Sequence, residues 1–126
     1  MNESKTLGTE NAIESASGLK QRALEAIASK DVEQLILALQ DINQKLIGSD
    51  NEGSLMPGLI FRLREQLTEF FQKIEKFGFS EDIVVYLGDS NYRLVVGINL
   101  DKSPKLIFTG NQIYNYKEIK DSWDKL

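Results

Sequence analysis

The chain has 126 residues, 41% hydrophobic and 27% charged, which suits one ordinary hydrophobic core and is far from the composition of a disordered segment. It contains no cysteine and no histidine, so thiolate and iron-sulfur chemistry, Ser-His or Cys-His nucleophile pairs and the usual zinc ligand sets are excluded. Nineteen acidic residues against fifteen basic ones give a formal net charge of −4 with no cationic run, which argues against a protein that tracks nucleic-acid phosphates.

The first eight residues, Met1 to Gly8, are polar and aperiodic and read as a flexible arm, with residues 9–126 forming one α+β domain. They hold no apolar leader segment, and no stretch approaches the roughly 20 apolar residues of a membrane span, so the expected location is cytoplasmic with no membrane partner. From Thr9 to Ala28, Ala12, Ala16, Leu19, Ala23 and Ala26 or Ile27 recur at helical spacing, with Gly18 the place where this helix is expected to bend or break. Asp31 is the expected N-cap of a second helix, Gln34 completes a capping box, and Val32, Leu35, Leu39, Ile42 and Leu46 mark its buried face. Asp41 and Lys45 are spaced as an i,i+4 pair, and Gly48 ends the helix. After a linker to Ser54, Pro57 to Phe77 reads as a third helix whose stripe is Ile60, Leu63, Leu67, Phe70, Ile74 and Phe77. Gly78 ends it, with Phe79 placed to pack back on Ile74.

From Asp82 onward the period changes to two. Ile83–Leu87, Tyr92–Leu100, Lys105–Thr109 and Gln112–Tyr116 read as four short strands joined by turn-like segments, hence an antiparallel β-meander. On the second strand Tyr92, Leu94, Val96, Ile98 and Leu100 are expected to face the helices, leaving Arg93, Val95, Gly97 and Asn99 on the other face. A short C-terminal helix, about Lys117 to Lys125, sets Ile119, Trp123 and Leu126 on one side. The predicted fold is therefore three N-terminal helices packed with a four-stranded antiparallel meander and a closing helix.

Little in this chain resembles catalytic apparatus. None of the glycines sits between a strand and a helix as a phosphate loop requires. Glu81, Asp82, Asp89 and Asp101 lie near strand ends, where carboxylates gather for metal binding or acid-base work, but their spacing matches no calcium loop and turn aspartates commonly cap backbone amides. The heptad stripes are read as domain core in preference to a dimer seam because they are short. Leu37, Leu55, Leu59, Met56, Phe61 and Phe71 lie off those stripes or at the entry to the third helix, and the last three are the candidate oligomer contacts.

The candidate partner-binding residues are Tyr86, Tyr92, Arg93, Asn111, Tyr114, Asn115, Tyr116 and Trp123, all in the last third of the chain. Tyr, Trp and Arg carry much of the energy of protein interfaces, while the alternative reading is that rings on a small sheet are core. The expectation is a non-enzymatic protein-binding protein without cofactor or metal, foremost a cognate inhibitor of the immunity or antitoxin type that occludes a toxic partner. A basic toxin domain is the partner its acidic balance would attract. The competing readings are an oligomeric adaptor subunit, with a homodimer as its simplest form, a secretion chaperone, and a small-ligand domain or carboxylate-dependent enzyme.

Overall fold

Leu19, Ala23, Ala26 and Ile27 fall on one side of the first helix of the computed structural model, which describes residues 18–48, 57–87, 91–112 and 115–126. That helix, α1, spans Leu19–Ala28, and Gly18 stands at its N-cap. The predicted arm and residues 9–17 of the predicted helix lie outside the described residues. Lys30 adopts φ 58°, and the Asp31 amide donates to the Ala26 carbonyl at 2.9 Å, so the chain reverses through a left-handed stop directly into α2, Val32–Ile47. Asp31 caps α2 as its position predicts, Oδ1 accepting from the Gln34 amide at 3.1 Å. Leu35, Ile36, Leu39, Ile42 and Leu46 are buried along the side of α2 that faces the core. Asp41 pairs with Arg22 of α1 at 3.0 Å, where sequence spacing pointed to Lys45; the partner comes from across the helix pair.

Helix α3, Pro57–Phe77, buries Leu63, Leu67, Phe70 and Ile74. Two of its phenylalanines depart from the expected stripe. Phe71 is buried, its ring 5.2 Å from that of Phe70, whereas Phe77 is 60% exposed because it stands in the last turn, past the layer it would pack on. Gly78, at φ 88°, ends α3, its amide donating to the Ile74 carbonyl at 2.8 Å, and its own carbonyl accepts from Lys102 Nζ at 3.0 Å. Phe79 is 68% exposed, so the stop holds by backbone geometry without the expected hydrophobic contact. Across the helical layer, Arg64 of α3 grips Glu33 of α2 through Nε at 2.6 Å and Nη2 at 3.2 Å.

The sheet has three strands, β1 Ile83–Leu87, β2 Tyr92–Ile98 and β3 Pro104–Gly110, antiparallel and in sequence order. Val85 lies opposite Leu94, and Leu94 opposite Phe108, so one face presents Val85, Leu87, Tyr92, Leu94, Val96 and Phe108 to the core. Helix α1 packs against β3 and β2, and α3 packs against β1. The last helix, α4, Tyr116–Asp124, packs against β3 and α2. Among the described residues, then, an α+β fold of four helices covers one face of a three-stranded antiparallel sheet, and no helix is long and apolar enough to cross a membrane.

Two expectations for the sheet need correction. Leu100 is 99% exposed in the turn beyond β2, because the turn closed by the Asn99 amide on the Ser103 carbonyl ends the strand at Ile98. The fourth strand, Gln112–Tyr116, does not form as read: Asn111 pairs back to Asn91, Asn115 is a turn, and Tyr116 opens α4; Ile113 and Tyr114 lie outside the described residues. The physical reason is that Tyr116, Ile119 and Trp123 share one helical face, and burying that face against Phe108 outweighs a five-residue alternation.

Two measurements check this description. A non-glycine residue in the left-handed region is strained, so Lys30→Gly is expected to stabilise the fold by about 0.5–1 kcal/mol, read as a rise of a few degrees in melting temperature. The hydrogen bond and charge of Arg64 hold the Glu33 carboxyl below its ordinary pKa. Its contribution is thus complete above the unfolded carboxylate's pKa of about 4.3 and is lost as pH falls through the folded value. Melting curves of the wild type and Glu33→Gln should therefore differ near neutrality and converge at strongly acidic pH.

Candidate partner-binding surface

Side chains alternate across a strand, so the residues between the core positions form a second face. On β1 these are Val84 and Tyr86; on β2, Arg93, Val95 and Gly97; on β3, Lys105, Ile107 and Thr109. Cross-strand register arranges them in rows. Val84, Val95 and Ile107 lie opposite one another as an apolar row, with Val84 43% and Ile107 50% exposed. Beside it, Tyr86, Arg93 and Thr109 form an aromatic and polar row.

On the other side Gly97 lies opposite Lys105, whose Nζ is 2.8 Å from Asp82 Oδ2. The Asp82 carboxylate occupies the space that a Cβ at Gly97 would need, so glycine here lets an ion pair lie flat across the sheet. The result is an apolar strip with a polar margin on each side, the anatomy of a contact surface.

This face continues onto the helical layer at the β1 edge. A groove of about 220 Å³ runs there between the first half of α3 and β1, lined by Leu59, Arg62, Leu63, Gln66, Val84, Val85 and Tyr86. Leu59 is 49% and Tyr86 50% exposed, so the groove's mouth is apolar and aromatic.

The aromatic residues singled out from the sequence divide between core and surface. Tyr86 and Arg93 are neighbours on the outer face. Tyr92 and Trp123 are 7% and 6% exposed and, with Tyr116, stack on Phe108 at ring separations of 6.0, 5.7 and 6.0 Å respectively. Lys20 Nζ of α1 lies 4.8 Å from the Trp123 ring. Tyr92 and Trp123 are thus core and Tyr116 is half-buried against it, and together they fasten α4 to the sheet, because they alternate onto the helix-facing side or lie on the inward side of α4. Asn111 and Asn115 are exposed, the former at the end of the β2–β3 pair and the latter at the start of α4. Tyr114 and Met56 lie outside the described residues. Of the remaining oligomer candidates, Phe61 is 61% exposed and Phe71 is core.

Of the four carboxylates near strand ends, Asp89 lies outside the described residues, and two of the others have structural partners. Asp101 Oδ1 accepts from the Ser103 hydroxyl at 2.6 Å and amide at 3.0 Å, which holds its pKa below the ordinary carboxylate value, and Asp82 is paired with Lys105. Among the described residues no three carboxylates come together as a metal would require.

Sequence reasoning passed over Val84, Ile107 and Arg62. A signal for the first two was present: Ile83-Val84-Val85 and Leu106-Ile107-Phe108 are continuous apolar runs where a half-wetted strand would alternate. Arg62 carried no such signal, since only the packing of α3 beside β1 brings it to the groove.

This division between core and surface predicts opposite mutational outcomes. Trp123→Ala should destabilise the domain by about 3–5 kcal/mol, whereas Tyr86→Ala should change stability by no more than about 0.5 kcal/mol, both read from urea denaturation. No protein-family model matches this chain, and neither a curated protein nor a solved structure matches it.

Proposed function

We propose that this chain is a non-enzymatic protein-binding protein that meets its partner through the outer face of the sheet. The observation carrying the proposal is the row Val84, Val95 and Ile107, half in water and bounded by Tyr86 and Arg93 on one side and the Asp82–Lys105 pair on the other. An apolar strip of this kind is costly to leave wet and gains by being covered, while its polar margins give orientation. Its breadth across three strands suits a macromolecule better than a small ligand, which is held in concave sites that enclose it.

Within this class the reading is a cognate inhibitor of the immunity or antitoxin type, which occludes a toxic protein by binding over its working surface. Support comes from the absence of imidazole and thiol from these residues and a net charge of −4 that speeds encounter with a basic target. An oligomeric adaptor subunit is the second reading, favoured by Phe61, which stands 61% exposed on α3 away from the outer sheet face.

The test is co-expression with the product of the neighbouring reading frame. The expected outcome is relief of that product's toxicity and co-purification of a complex, both lost in Ile107→Glu at an unchanged melting temperature. Retention of both by Ile107→Glu, with loss in Phe61→Glu and a concentration-dependent oligomer in sedimentation, would assign the surface role to α3.

A further inference from the structure

We propose that the open edge of β1 accepts an extended acidic segment of the partner as an additional strand, its carboxylates seated on Arg62 and Arg93. The inference rests on the protein-binding reading above and names the chemistry of the segment that docks.

The first observation is topological. In the order β1-β2-β3, β1 is an outside strand, and among the described residues no hydrogen bond reaches it from any element except β2. Alternate residues of such a strand direct amide and carbonyl groups outward, a template for strand addition. The second observation is the groove along this edge. Its lining takes Val84 and Tyr86 from the outer phase of β1, Val85 from the inner phase, and Leu59 and Leu63 from α3. It therefore follows the edge itself, and an added strand would set every second side chain toward α3 and the others beside Val84 and Tyr86.

The third observation is charge, which selects the occupant. Two of the four arginines, and four of the lysines, are engaged in ion pairs among the described residues: Arg22 with Asp41, Arg64 with Glu33, Lys73 with Glu69, Lys105 with Asp82, Lys117 with Asp121 and Lys120 with Asp124. Arg62 and Arg93 have no ion-pair partner among the described residues, and both border Tyr86. Arg62 lines the groove with it, and Arg93 lies opposite it in the β1–β2 register. A guanidinium beside apolar surface presents a planar fork that matches a carboxylate, so the complementary segment alternates acidic and apolar residues.

A second copy of this chain fits less well. Its own β1, Ile-Val-Val-Tyr-Leu, has no carboxylate, and the neighbouring Asp82 is held by Lys105, so edge-to-edge pairing would supply the two guanidiniums with nothing from the strand itself. The overall negative charge does not conflict with this. It acts at long range on which molecules approach, while Arg62 and Arg93 act at contact on what sits along the edge.

The probe is an acetylated, amidated heptapeptide alternating glutamate and valine, compared with its lysine and valine counterpart by fluorescence anisotropy on the full chain. The expected result is binding of the acidic peptide about tenfold or more tighter than the basic one. Arg62→Glu/Arg93→Glu should reverse this preference, and Arg62→Gln/Arg93→Gln should abolish it. Amides of β1 should gain protection from hydrogen exchange with the acidic peptide, and N-methylation at alternate peptide residues should remove binding.

Equal binding of both peptides, indifference to the arginine substitutions, or unchanged exchange at β1 would overturn the proposal. So would a dimer that protects β1 and excludes the peptide. Ile107→Glu leaves the edge and both arginines in place, so it should retain the peptide even where it loses the partner. Failure of the edge proposal and failure of the outer-face reading are thereby told apart.

Discussion

The four-ring contact centred on Phe108 decides which face of the sheet is covered, and the candidate site exists because the other is not. Tyr92 reaches Phe108 from the neighbouring strand, Tyr116 and Trp123 reach it from α4, and Lys20 of α1 lies over Trp123. Rings of this size bury large areas, and their offset stacking adds to the gain from burial, so the contact fixes α4 and α1 on the same side of β3. With α3 against β1, the helical layer is complete on that side, and the described residues provide no second layer. Val84, Val95 and Ile107 are thereby left at the surface.

An open apolar face is a hazard as well as an opportunity. The Asp82–Lys105 pair stretched over Gly97 and the arginine at position 93 put charge on both sides of the strip, which discourages indiscriminate stacking of sheets while leaving the central row available. The same logic holds at the β1 edge, where Arg62 stands beside Leu59 and Tyr86. Polar margins of this kind make docking selective, because a partner that buries an unpaired guanidinium without supplying a carboxylate loses more than it gains.

The helical half of the fold was largely legible in the sequence. Asp31 as an N-cap, Gly78 as a helix stop and the stripe from Leu63 to Ile74 are local matters, set by backbone hydrogen bonds and a 3.6-residue period within a few turns. The β half was legible in its meander order and in the inward set Tyr92, Leu94 and Val96. It failed at Gln112–Tyr116, where a short alternation of apolar and aromatic residues fits a strand and a helix start equally well. The decision belonged to Phe108, a partner that no local pattern reveals.

For the candidate site, composition alone removed imidazole and thiol chemistry, because residues that are absent cannot be assembled by any fold. Composition also fixed the acidic balance, and spacing fixed which residues share a strand face. Which face would meet water was a tertiary matter. Tyr86 and Tyr92 are both strand tyrosines, yet one is 50% exposed and the other 7%, since only the placement of the helical layer distinguishes their faces. Likewise Arg62 and Arg93 are 31 positions apart, and they border the same tyrosine only because α3 lies beside the strand that pairs with β2. Sequence period acts over a few residues, whereas burial depends on every element packed against a surface.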